Sequence, residues 1–166
     1  MKFNVAASIV HRQQETNFSC GAASVAMLLG VPESIVIPLV GCNAKGTYDS
    51  EVLRFLQAGV AKSHMAFVNK EYHEVSANLE RLSLMFPFYC SATYLWKNPG
   101  RGRPCVRHHA SLWADGMIYD PSEDRETDVT SYERVFNKKL TIHRIVVVEV
   151  ERPNFLKNFK RFEDAA

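Results

Sequence analysis

Residues 14–30 read QETNFSCGAASVAMLLG, and the architecture follows from this stretch. From Cys20 to Leu29 the Ala, Met and Leu content favours a helix. Gly30, followed by Pro32, stops it. Cys20 therefore opens a helix, with small Gly21, Ala22 and Ala23 behind it. Cysteine attacks as the thiolate, and an unperturbed thiol with a pKa of about 8.5 is mostly protonated near neutrality. The first turn of a helix offers free amides and a positive dipole end, which favour negative charge. The same amides are suited to stabilising an oxyanion on an attacked carbonyl. Taken alone, a lone cysteine is more often a small buried hydrophobe, so the surrounding residues must decide.

Downstream of Gly30, PESIVIPLVG reads as a second short helix or helical turn. TYDSEVLRFLQAGV reads as a third helix, with Thr47 and Asp49 as capping residues and Val52, Phe55, Leu56 and Val60 at helical spacing. VSANLERLSLMF reads as a fourth. The pattern then changes. FPFYCSATYLW is aromatic and β-branched, a buried strand, and the Pro/Gly/Arg loop KNPGRGRP follows it. VRHHASLWADGMIYDP holds two strand-like runs around Asp115-Gly116, a pair suited to a type I′ hairpin turn. SYERVFNKK predicts a short helix and IHRIVVVEV a strand apolar enough to lie inside a sheet. The tail PNFLKNFKRFEDAA is mixed, frayed or a docking helix. A helical first half packed on an antiparallel sheet is an α+β arrangement, expected as one domain over residues 1–166.

The hairpin supplies partners for Cys20. With Asp115-Gly116 as the two-residue turn, Ala114 faces Met117, Trp113 faces Ile118 and Ser111 faces Asp120. Side chains alternate along a strand, so His109, Ser111 and Trp113 share one face and His108 points to the other. Asp120 lies diagonal to His109, within reach of its imidazole. This register selects His109 over His108 as a base that takes the thiol proton, with Asp120 orienting the ring. A bulge would reverse that choice. Gln14, six residues before Cys20, carries an amide able to donate to an oxyanion, although on these residues alone a solvated loop glutamine is the stronger reading.

Composition bounds the alternatives. The chain has 166 residues, 46% apolar and 11% aromatic, enough to bury a core without staples. Its 20 basic and 18 acidic residues leave a formal charge of +2, which argues against a nucleic-acid partner. Lys97, Arg101, Arg103 and Arg107 cluster in and beside the Pro/Gly loop, a pattern that suits a local substrate-binding or solubilising role. No run approaches the roughly 18 to 20 apolar residues of a membrane span. The opening MKFNVAASIVHRQQ lacks a signal-peptide core, so a cytoplasmic location is expected. Cys20, Cys42, Cys90 and Cys105 are expected as free thiols. Cys105-x-x-His108 has no second metal half-site with comparable spacing, so neither metal nor cofactor is expected.

The element Q-x5-C-G-A-A at Gln14–Ala23, with its apolar helix, resembles the start of the C39-type papain-like cysteine peptidases. That group includes the N-terminal domains of bacteriocin exporters that cut leader peptides after a double glycine. FPFYCSATYLW, HASLW and MIYDP follow in the order of the group's apolar strand, His-led strand and strand ending in Asp-Pro. The resemblance spans roughly residues 13 to 122. Ser19 stands where the group usually carries an acidic residue, and the interval from His109 to Asp120 is short. The resemblance implies a papain-like fold, Cys20 as nucleophile, His109 as base, Asp120 as its orienter and Gln14 as oxyanion donor. The leading expectation is a cysteine peptidase or isopeptidase with a protein or peptide substrate. The same residues would serve a glutamine deamidase, an amidase or an acyltransferase, since each passes through a similar acyl-enzyme. An inactive papain-like binding or inhibitor module is the non-enzymatic alternative.

Overall fold

The computed structural model describes residues 2–97, 100, 102–136 and 138–150. The expected tail, and Asn98, Pro99 and Arg101 of the basic loop, lie outside the described residues. In chain order the elements are α1 (Cys20–Leu29), α2 (Glu33–Leu39), α3 (Asp49–Gly59), β1 (Ser63–Glu71), α4 (Tyr72–Met85), β2 (Phe88–Trp96), β3 (Cys105–Ala114), β4 (Met117–Tyr119), β5 (Thr127–Asp128), α5 (Tyr132–Phe136) and β6 (Leu140–Val148). The six strands form one antiparallel sheet in the order β1-β6-β2-β3-β4-β5.

Helices cover both faces of this sheet, which explains the uninterrupted apolar run in β6. Val146 and Val148 join a core with α1, α2 and α3 through Met27, Val36 and Leu56. Ile145 and Val147 join a second core on the opposite face with α4, α5, Phe88 and Trp113. A strand buried on both faces needs apolar side chains at every position rather than at alternate ones. The α+β architecture is thus the expected one, with α4 and α5 on the face away from the N-terminal helices.

Several elements depart from the sequence reading. β1 was not expected; it pairs with β6 as the sheet edge, with a bulge between Phe67 and Lys70. Helix α4 starts three residues earlier than its apolar pattern, because Glu71 and Glu74 form a reciprocal capping box. The expected capping of α3 by Thr47 and Asp49 is also not what forms. Tyr48 occupies the N-cap without a side-chain cap bond. Asp49 instead turns its carboxylate to Arg144, 3.2 Å away, because a fixed guanidinium outcompetes a solvated helix amide.

The Asp115-Gly116 turn sets the register of the β3–β4 hairpin. Both residues have positive φ, 55° and 77°, as a type I′ turn requires. Ala114 pairs with Met117, Trp113 with Ile118 and Leu112 with Tyr119. Among the described residues no single helix is long and apolar enough to cross a membrane.

Candidate active site

Helix α1 is buried over Gly21–Leu29, and its first residue, Cys20, is half-buried at the mouth of a cleft. Its first i→i−4 bond runs from Ala23 N to Ser19 O, 2.8 Å, so the amides of Cys20, Gly21 and Ala22 precede the helical ladder. Gly21 is required by close approach: a Cβ there would meet Thr47 Cβ at 3.0 Å and the Tyr89 hydroxyl at 3.2 Å. Ser24 ties down the first turn by donating its hydroxyl to Cys20 O at 2.8 Å.

His109 arrives from β3. Nε2 lies 2.7 Å from Asp120 Oδ1, and the ring shares a cleft with Cys20, whose sulfur acts on its pKa. With Nε2 engaged by the carboxylate, Nδ1 is the nitrogen left for sulfur. His109 is buried and His108 is exposed on the other strand face. His109 thus bonds Asp120 directly, and Cys20 lines the same cleft as His109.

Asp120 is 1% exposed and its carboxylate is surrounded by donors. Oδ1 accepts from His109, from the Ser122 amide at 2.8 Å and from the Ser122 hydroxyl at 2.7 Å. Oδ2 accepts from the Tyr132 hydroxyl at 2.5 Å. Burial alone would raise this carboxyl's pKa, but the bonds from His109, Tyr132 and Ser122 outweigh it and hold the pKa below the usual carboxylate value. The same balance acts on His109. Burial disfavours the charged ring, yet Asp120 and the Cys20 sulfur together raise it to about 10.

Gln14 sits in a segment pinned to the Asp120 loop. Its amide N–H donates to Pro121 O at 2.8 Å, and His11 Nε2 lies 2.7 Å from Asp120 O. The Gln14 side-chain nitrogen donates to Thr16 O at 2.6 Å, which uses one of its two N–H groups. The side-chain oxygen is buried and unpartnered.

Tyr132, Phe136 and Ser122 were not singled out from the sequence. Phe136 stacks on the His109 ring at 5.2 Å between centroids, and Tyr132 stacks on Phe136 at 5.6 Å. The signals for them are local: Ser122 two residues after Asp120 suits an Asx turn, and Tyr132 and Phe136 lie at i, i+4 on one helix face. Among the aromatics of β2 and β3, Trp113 is core, Tyr94 meets His109 edge-on and Trp96 lies under the Arg107 guanidinium.

Cys20 and His109 open onto a cleft of about 630 Å³, floored by Tyr89, Ser91 and Ala110 and walled by the loop carrying Lys45 to Tyr48. All four cysteines are free thiols. Among the described residues no group of three or more His, Cys, Asp or Glu side chains is placed to hold a metal ion.

No protein-family model and no curated protein matches the chain. Among solved structures, a double glycine motif protease from an AMS/PCAT transporter, in complex with its leader peptide, is similar over 86% of this chain and 93% of that one. The TM-score is 0.50 and the sequence identity 18%. The chain therefore has a peptidase-like fold shared with that double-glycine protease.

Proposed function

We propose that the protein is a cysteine peptidase or isopeptidase that cleaves a peptide-like bond through a thioester at Cys20. One observation carries the reading: a single buried imidazole, His109, bonds the Asp120 carboxylate and shares one cleft with the Cys20 thiol. His109, raised to about 10, already carries its proton near neutrality, and the Cys20 thiolate beside it adds to the substrate carbonyl carbon. The carbonyl oxygen becomes an oxyanion within reach of the first-turn amides, with the spare Gln14 N–H as a second donor after a change of side-chain rotamer. Collapse breaks the C–N bond as His109 returns the proton to the leaving amine. Water then gives its proton to His109, attacks the thioester carbonyl and releases the acid, and Cys20 leaves as the thiolate. Asp120 stays ionised throughout and stabilises the imidazolium.

The neighbour's complex with a leader peptide supports a peptide as occupant of the equivalent cleft here. The test is mass spectrometry of a peptide pool incubated with the protein and with Cys20→Ala. New N-termini that need Cys20 support hydrolysis. A shift of about one dalton without new termini would replace it with side-chain deamidation.

A further inference from the structure

The cleft beside Cys20 has an uneven charge. Lys45 lines it from the loop before α3, Arg107 and His108 from β3, and His143 and Arg144 from β6. Among the described residues the one carboxylate lining it is Asp49, although acidic and basic residues are nearly balanced over the chain, 18 against 20. Asp49 is already neutralised. It pairs with Arg144 at 3.2 Å.

Lys45 and Arg107 remain available to a ligand. Arg107 is held in place by the Trp96 ring, 4.6 Å below its guanidinium, and among the described residues neither Arg107 nor Lys45 is paired with a carboxylate. His143 is fixed by Thr93 at 2.7 Å and Asn69 at 3.1 Å, and His108 is exposed. A cleft lined by one sign of charge focuses its field on the opposite sign. Guanidinium and ammonium groups contributed by different elements match carboxylates spaced along an extended chain.

We propose that this cleft selects an acidic peptide segment, with Asp or Glu side chains flanking the bond presented to Cys20. Lys45 and Arg107 supply the preference, and Arg144 is held out of it by Asp49. The proposal rests on the peptidase reading for its scissile bond, but not for its charge selectivity.

The test uses Cys20→Ala, which binds without turnover, and three fluorescein-labelled octapeptides alternating Gly with Glu, Gln or Lys. Anisotropy at low salt should show the Glu peptide binding at least tenfold more tightly than the Gln peptide, and the Lys peptide most weakly. The gap should close near 1 M salt, where the screening length is about 3 Å. It should also vanish in the Lys45→Gln/Arg107→Gln and Lys45→Glu/Arg107→Glu backgrounds, with unfolding midpoints confirming that each is folded. Equal affinities, no binding of any peptide, a preference that survives both charge variants, or tighter binding of an oligothymidylate would each overturn the proposal. Iodoacetamide labelling of the wild-type protein separates the two claims. Fast labelling of Cys20 with no Glu preference removes the charge selectivity alone, and slow labelling with the preference intact removes the peptidase reading alone.

Discussion

The Tyr132 hydroxyl donates to Asp120 Oδ2 at 2.5 Å while Oδ1 of the same carboxylate receives His109. A five-residue helix thereby fixes the acid that fixes the base. Its next turn places Phe136 against the imidazole, so α5 closes the His109–Asp120 bond off from water.

Tyr132→Phe removes this donor and leaves a buried carboxylate oxygen unsatisfied. The expected cost is about 1–3 kcal/mol of stability, read as a lower urea midpoint. Cys20 labelling should slow severalfold, because the carboxylate is less firmly oriented. An unchanged labelling rate would make Tyr132 a packing residue only.

Asp120→Asn keeps the shape of the site and removes the charge that raises His109. By analogy with the serine triad, turnover should fall by roughly 10²–10⁴-fold. The His109 ring, followed by NMR, should titrate well below its wild-type midpoint. Cys20→Ala should lower that midpoint too, since the sulfur is a second cause of the shift.

The pH dependence of stability follows from the same shifts. His109 is raised from about 6.5 to about 10, so its folded state holds a proton that the unfolded chain releases. Its stabilisation is complete below pH 6.5 and is lost as pH rises through 10. Asp120 is lowered, so its contribution is present above its ordinary value near 3.8 and is lost as pH falls through its folded pKa. Denaturant midpoints should therefore decline on both sides, and the alkaline decline should be shallower in His109→Ala.

Much of the fold around this site is legible in the sequence, because its determinants are local. Gly30 ends α1 at φ 65°, and the Asp115-Gly116 turn sets which face each hairpin residue occupies. The strand β1 was not legible: SHMAFVNKE mixes polar and apolar residues, bulges after Phe67 and places Asn69 at φ 49°. Its pairing comes from β6, far along the chain, rather than from its own pattern. The same holds for β5, two residues long, and for Tyr132, whose bond to Asp120 depends on the turn over residues 128–131 folding back. Asp49 misled for a related reason: a helix-capping residue by sequence, it finds Arg144 only once β6 lies beside α3.

Gly116→Ala tests the hairpin. Its φ of 77° is strained for alanine, and the new Cβ would lie 3.2 Å from Leu84 Cδ2. The expected destabilisation is about 1 kcal/mol or more, with slower Cys20 labelling because His109 depends on this register. Faster labelling would show that the turn does not set the site.

The central claim is that His109 activates Cys20, and timed iodoacetamide labelling followed by peptide mapping tests it most directly. Cys20 should be modified well ahead of Cys42, Cys90 and Cys105, and that lead should disappear in His109→Ala while the other three rates stay unchanged. Equal rates at Cys20, Cys42 and Cys105, or a Cys20 rate indifferent to His109, would contradict it.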